Sequence, residues 1–469
     1  MKKSRRNFIK GTISSMAGLG LLSTNNIIKT HVSNENNLPI IEETDICVLG
    51  GSCTGVFAAI RAARLGAKVS IIEKQNAFGG VATNSMVLIW HSLFNTEFNK
   101  QIISGLTEEV IDRLKKRDAV IMLNKSENHA YTFNSQELKI ELDEMIIENN
   151  INPYLHTMFS EPITDGDKIL GIIIENKNGR GIIKANAFID ATGDGDLCHR
   201  LKIPSYVSNL LLPPTTCAHF DGWDYDIINV IKEHGKEVNL HEGFIWGNLI
   251  PGTQTMMIAG TRVCSVNCAD ANDLTKAEIE GRRQVRAIMD LTRKYLPQKK
   301  IILTGLPSQI GIRQTRQFKC QYCLTGDNLL SGNKFDDAIA YGSYRVDIHH
   351  QDKPGITFRY LDGREEYVRS GYPVVYNRWR PETSVNPTFY QIPLRSIIPG
   401  EYTNLILAGR MFDADIVAFS ATRVMINLNQ LGEAAGIAAY ASIDQKIPMS
   451  KLSSEYIRNT LKKGGSIIL

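Results

Sequence analysis

Asp45–Lys74, DICVLGGSCTGVFAAIRAARLGAKVSIIEK, constrains the fold more than any other stretch, because it reads as one complete strand–turn–helix–strand unit. The apolar run Ile46–Leu49 suits a strand buried on both faces. The turn Gly50-Gly51-Ser52-Cys53-Thr54-Gly55 follows, then an Ala-rich amphipathic segment to Leu65, a stop at Gly66, and a second strand, Val69–Ile72, ending on Glu73. A glycine at the strand end permits the tight turn, and a later one lets helix and sheet pack closely. Amides at the helix start hold a pyrophosphate, and an acid roughly 20 residues on accepts from ribose hydroxyls. Ser52 stands where this fingerprint has its second glycine. Its Cβ crowds the approach to phosphate, although its hydroxyl could donate to that phosphate. An ordinary βαβ unit with a Gly-rich turn is the alternative, but strand, turn, helix, strand and acid all agree on a dinucleotide.

Three further segments point to which dinucleotide. Phe78-Gly79-Gly80-Val81-Ala82-Thr83 follows the acid, where a second crossover would be expected of a nicotinamide dehydrogenase. Ala185–Asp196 is an apolar strand that runs into Thr192-Gly193, and Asn404–Arg410 is another that ends in Gly-Arg. With these pieces the chain, from Asp45 to about Ala441, resembles the FAD-dependent oxidoreductases of the glutathione-reductase-like fold, in their single-flavin-domain branch. The fold this implies is α/β: a Rossmann-like FAD-binding domain split in sequence, with an inserted α+β substrate domain.

The resemblance implies roles residue by residue. Gly50, Gly51, Ser52, Thr54 and Gly55 would cradle the pyrophosphate, with Glu73 and the adjoining Lys74 at the adenosine ribose. Gly80, Ala82 and Thr83 would run beside the pyrophosphate and ribityl chain. Ala191, Thr192 and Gly193 would back the adenosine half, and Gly409 and Arg410 would meet the ribityl chain or a phosphate. The small-residue segment Ala421–Ala439 reads as a helix whose start would face the isoalloxazine ring, with Arg423 adding a full positive charge. A helix cap or surface ion pair is the plainer role for Arg423.

Flavin N5 accepts or donates hydride, so the protein need add only a proton-transfer group and polar anchors. His91, shortly after the Gly79–Thr83 segment, is the first candidate, since imidazole titrates near neutral pH. A hydrogen-bonded structural histidine is its alternative. Arg313 and Arg316, three apart, could share one face and clamp a carboxylate, or form ion pairs between domains. His349 and His350, in a turn-rich stretch, read as surface or structural residues.

Ser4-Arg5-Arg6-Asn7-Phe8-Ile9-Lys10 matches a twin-arginine export signal, and the weakly apolar Gly11–Leu22 after it is too short to span a bilayer. Export of a folded, FAD-loaded protein to the periplasm is the expectation, with the export machinery as partner; a disordered basic tail is the alternative. The formal net charge is +4, and Met1–Thr30 carries six Lys or Arg and no acid, which leaves about −2 without it. The basic balance therefore gives no reason to expect a nucleic-acid partner.

The resemblance implies that the 469 residues divide into a signal region and linker (1–35), flavin-domain parts at 36–200 and 389–445, a substrate domain at 201–388, and a C-terminal helix and tail at 446–469. Asp273–Leu296 reads as a helix and Arg345–Val375 as an antiparallel meander. Cys320-Gln-Tyr-Cys323 has disulfide or metal spacing, with Cys264 and Cys268 four apart, but the resemblance supplies no metal. No second Gly-rich nucleotide unit lies between Gly193 and Asn404. Electrons would thus pass to or from a small-molecule substrate, a carrier, an electron-transfer partner or oxygen. The leading expectation is FAD-dependent oxidation or reduction of a small organic substrate. The alternatives are a structural or non-redox flavin (isomerase or hydratase), and an electron-transfer or binding protein without its own substrate.

Overall fold

Strand Ile40–Leu49 lies at the centre of a seven-stranded sheet. It pairs in parallel with Val69–Ile72 on one side and Gly179–Asp190 on the other, and Asn152–Tyr154 extends the first side. Ile46, Cys47, Val48 and Leu49 are all completely buried, as a strand covered on both faces must be. The computed structural model describes residues 38–469, except Leu210, His241 and Glu242, so Ser4–Lys10, for which an export signal is the expectation, lies outside the described residues. Among the described residues no helix is long and apolar enough to cross a membrane.

The long strand Gly179–Asp190 forks. Its first half pairs antiparallel with Lys168–Asn176, which continues to Met158–Asp165; its second half pairs in parallel with Leu405–Leu407. Asn404 fills the fork. Its amide donates to the carbonyls of Ile169 (2.8 Å) and Asn186 (3.0 Å), and its oxygen accepts from Ile169 N (3.0 Å). Backbone groups that the divergence would orphan are thereby satisfied.

Helix Cys53–Arg64 leaves the first strand, and helix Met425–Gln445 packs against it. Gly432 and Gly436 make the crossing close: a Cβ on either would come 2.1 Å from the carbonyl oxygen of Thr54 or Ala58. Between the two flavin segments, a four-stranded antiparallel sheet (Trp246–Leu249, Met256–Ala259, Ala218–Asp221, Ile302–Gly305) is backed by the 25-residue helix Ala271–Tyr295, and the two share their own apolar core. A second antiparallel sheet, Val346–His349 to Val375–Arg378, is the meander expected from the Asp-Gly and Pro-Gly turns. The fold is a Rossmann-type α/β fold, with mixed α and β structure in the insertion.

Candidate active site

Ser52 caps helix Cys53–Arg64, its hydroxyl oxygen accepting from Gly55 N at 3.3 Å. The amides of Cys53 and Thr54 have no intrahelical acceptor, as at any helix start, and both residues line a large cavity. Glu73 braces the turn: one carboxylate oxygen accepts from Gly51 N and the other from Gln75 N, at 2.7 and 2.8 Å. Gly80, at φ +55°, lies against Ser52, and a Cβ there would come 2.9 Å from the serine Cβ. The Cβ that the fingerprint lacks at position 52 is thus accommodated by a missing Cβ across the turn.

The cavity, of about 430 Å³, runs from this turn past Ala191, Thr192, Gly193, Gly409 and Arg410 to the start of helix Met425–Gln445. Lys74 and Glu73 also line it. Arg410 pairs with Asp194, while its Nε is buried without a partner. Gly51 and Gly55 stand behind the turn rather than at the cavity wall. A Cβ on Gly55 would fall 2.0 Å from Gly50 O, so its place is the contact of helix with strand. Ala82 and Thr83 do not line the cavity either. Both are fully buried, and Thr83 Oγ1 donates to Phe78 O at 2.5 Å, which shapes the turn from behind.

The expected helix at Ala421–Ala439 is two helices. Ile416–Thr422, capped by Asp415, ends at Arg423; Val424 is extended (φ −67°, ψ 143°); and Met425–Gln445 starts afresh. The break turns Arg423 toward the inserted domain, where its Nη2 lies 3.0 Å from Asp347 Oδ2. Tyr344 OH also donates to Oδ2 at 3.0 Å, and His349 Nε2 lies 3.2 Å from Oδ1. Asp347 and His349, two apart on strand Val346–His349, share one face of it. His349 is therefore part of the cavity wall, not a surface residue. His350 falls outside the strand and meets Thr357 Oγ1 at 2.7 Å.

His91 lines the same end of the cavity, with its ring stacked on Tyr344 at 4.0 Å between centroids. Burial, with help from the Arg345 charge, pulls its pKa down to about 3. Burial and the charge of Arg313 take His349 to about 4. Asp347 goes the other way: the His349 and Arg423 partners overcome burial and hold its carboxyl far below the usual range. Arg313 reaches the cavity, but Arg316 does not share its face. The segment is non-helical, and Arg316 donates to Ala269 O, outside the cavity.

All eight cysteines are free, Cys320 and Cys323 included. Burial raises Cys53 to about 12, and its thiol donates to Gly79 O, so it fills space in the turn rather than acting as a nucleophile. Among the described residues no three His, Cys, Asp or Glu side chains gather as a metal site requires.

These features fit FAD. The uncapped amides of Cys53 and Thr54 and the orphaned Nε of Arg410 suit a pyrophosphate. The Gly80 surface gives its backbone approach, and the amides at Met425 offer partial positive charge at the far end.

Among solved structures, a geranylgeranyl bacteriochlorophyll reductase-like protein from Thermoplasma acidophilum matches at 12% identity and TM-score 0.45, over 90% of this chain and 83% of that one. The p-nitrophenol 4-monooxygenase PnpA from Pseudomonas putida DLL-E4 matches at 9% identity and TM-score 0.45, over 90% of this chain and 84% of that one. No curated protein matches the chain significantly. The family model for FAD dependent oxidoreductases matches residues 45–461. The chain belongs to that family, and it is an FAD-dependent oxidoreductase.

Proposed function

We propose that the enzyme moves hydride between flavin N5 and a small organic substrate held in the chamber of His91, Arg313, Tyr344, Asp347 and His349. The observation that carries this reading is the buried Asp347, which holds Arg423, Tyr344 and His349 beside the start of helix Met425–Gln445. Bound FAD supplies the hydride acceptor or donor. His349 is neutral at physiological pH, so its ring nitrogen remote from Asp347 takes the substrate proton while the carboxylate orients the ring. Tyr344 stays protonated, because burial raises its pKa, and keeps Asp347 in place. His91, stacked on the Tyr344 ring, is a second proton-transfer candidate.

Anaerobic stopped-flow mixing of the photoreduced holoprotein with organic acceptors, and of the oxidised form with organic donors, tests the reading. Rapid flavin turnover with one chemical class supports it. Exchange confined to redox proteins or carriers favours the electron-transfer alternative, and no exchange with any compound favours a structural or non-redox flavin.

Folded export to the periplasm is part of the same proposal, and rests on Ser4–Lys10. Arg5→Lys with Arg6→Lys is expected to strand flavin-loaded protein in the cytoplasm. Normal export of that variant would remove the twin-arginine reading.

A further inference from the structure

The chamber holds a guanidinium that has no counterion among the described residues. Arg313 Nη1 donates to Pro213 O and Thr215 Oγ1, both at 2.6 Å, and both acceptors are neutral. Among the described residues its Nε and Nη2 find no protein acceptor, and no carboxylate lies within ion-pair distance. Thr215 is itself fixed, donating to Thr261 O at 3.0 Å.

Asp347 does not serve as the missing partner. It is already shared among Arg423, Tyr344 and His349, and the repulsion of Arg423 on Arg313 outweighs the attraction of Asp347. Burial and that repulsion pull Arg313 down to about 10, where it remains charged at neutral pH. Arg345 adds a third positive charge at the cavity wall; its guanidinium lies 3.9 Å from the centre of the Phe358 ring and donates to Glu127 O and Asn128 Oδ1, with no ion-pair partner among the described residues. Both histidines are neutral, so at this end of the cavity three guanidiniums face one carboxylate among the described residues. Buried charges in proteins are ordinarily paired.

We propose that the substrate supplies the missing charge as a carboxylate seated on the free Nε–Nη2 edge of Arg313. That planar edge offers two parallel N–H donors, which match the two oxygens of a carboxylate. The surrounding wall, with Phe244, Trp246, Ile312, Ile356 and Phe358, is apolar and suits the carbon skeleton of an organic acid. This inference rests on the chamber being the substrate site, as proposed above, and deepens that reading by naming the substrate class.

The test is equilibrium binding to the oxidised holoprotein, read by perturbation of the flavin absorbance. The probes are acetate, succinate, benzoate and phenylacetate, each paired with its amide. At least one acid is expected to bind tenfold or more tightly than its amide. Arg313→Met, with flavin content unchanged, is expected to lose that preference, and Arg313→Lys to keep part of it. Equal binding of every acid and amide overturns the proposal on the wild-type protein alone, whether or not the variants fold. Acid selectivity that survives in Arg313→Met overturns it too, as does a variant whose only change is in flavin reduction potential, since the flavin would then be the counterion. No turnover is needed. Acid binding at Arg313 without any redox exchange would therefore sink the redox reading and leave the anion site standing.

Discussion

Arg423 and Asp347 form a 3.0 Å ion pair, both side chains about nine-tenths buried, that ties the break between two flavin-domain helices to a strand of the insertion. Removing one partner of a buried pair leaves the other charge uncompensated, at roughly 3–5 kcal/mol. Asp347→Asn is accordingly expected to destabilise the holoprotein by that order. Replacing both partners with apolar residues, Asp347→Leu with Arg423→Met, is expected to recover part of the loss. Urea unfolding of the three proteins checks it, and a single variant as stable as wild type would show that the pair contributes nothing.

The two histidines separate by their partners. His349→Ala is expected to keep FAD and lose roughly 10²–10⁴-fold in the single-turnover rate of flavin reduction or reoxidation. His91→Ala, which removes a ring stacked on Tyr344, is expected to lose less than about tenfold per bound flavin and to show its effect in stability or FAD content. Flavin occupancy and rate measured on the same samples decide between them. A large loss in His91→Ala with a normal His349→Ala would return proton transfer to His91.

Acid should weaken the fold through the same residues. In the folded protein His349 and His91 titrate at about 4 and about 3. In the unfolded chain they do so near 6.5, so between about pH 6.5 and 4 the unfolded state binds more protons. Stability contributed by keeping these rings neutral is complete above that window and lost as pH falls through it. The thermal midpoint is expected to drop from about pH 7 to 5, and less steeply in His349→Gln, because one such proton is removed from the balance. Parallel curves for the two proteins would exclude His349 as a source.

The contact between Ser52 and Gly80 makes a reciprocal prediction. Gly80→Ala places a Cβ 2.9 Å from that of Ser52, at φ +55°, and is expected to weaken FAD binding. Adding Ser52→Gly relieves the clash but not the backbone strain of about 1 kcal/mol, so affinity is expected to return in part. FAD titration of the apoproteins measures both steps. Equal affinities for the single and double variants would mean that the two side chains do not interact.

The phosphate turn was legible because its parts are neighbours in sequence: Gly50 to Glu73 carries the strand end, the helix start and the bracing acid within one unit. The catalytic end was not, because Asp347 and Arg423 stand 76 residues apart and meet only through tertiary structure. The period of two on Val346–His349 would have paired Asp347 with His349, yet the turn-rich surroundings made His349 look like a surface or structural residue. The break at Val424 was hidden in the small-residue run Ala421–Ala439, because what accompanies it is largely tertiary: the Arg423–Asp347 pair, and Tyr390 OH and Asn427 Nδ2 donating to Ala421 O. Ala82 and Thr83 were read as contact residues from their place in the Gly79–Thr83 segment, although they support the turn from behind.

The glycines at 432 and 436 set one dimension of the enzyme. One of the crossing helices begins at the phosphate turn and the other beside Arg423, and main chain rests on main chain where they meet. At these two glycines the distance between the positive helix ends is gauged by backbone, and the buried Arg61–Glu433 pair links the same two helices. Repacking a core can shift elements that touch through leucines or phenylalanines, but here there is nothing to trim or enlarge without collision. The polar lining can drift to suit new substrates, while the span available to the cofactor stays as the backbone crossing fixes it.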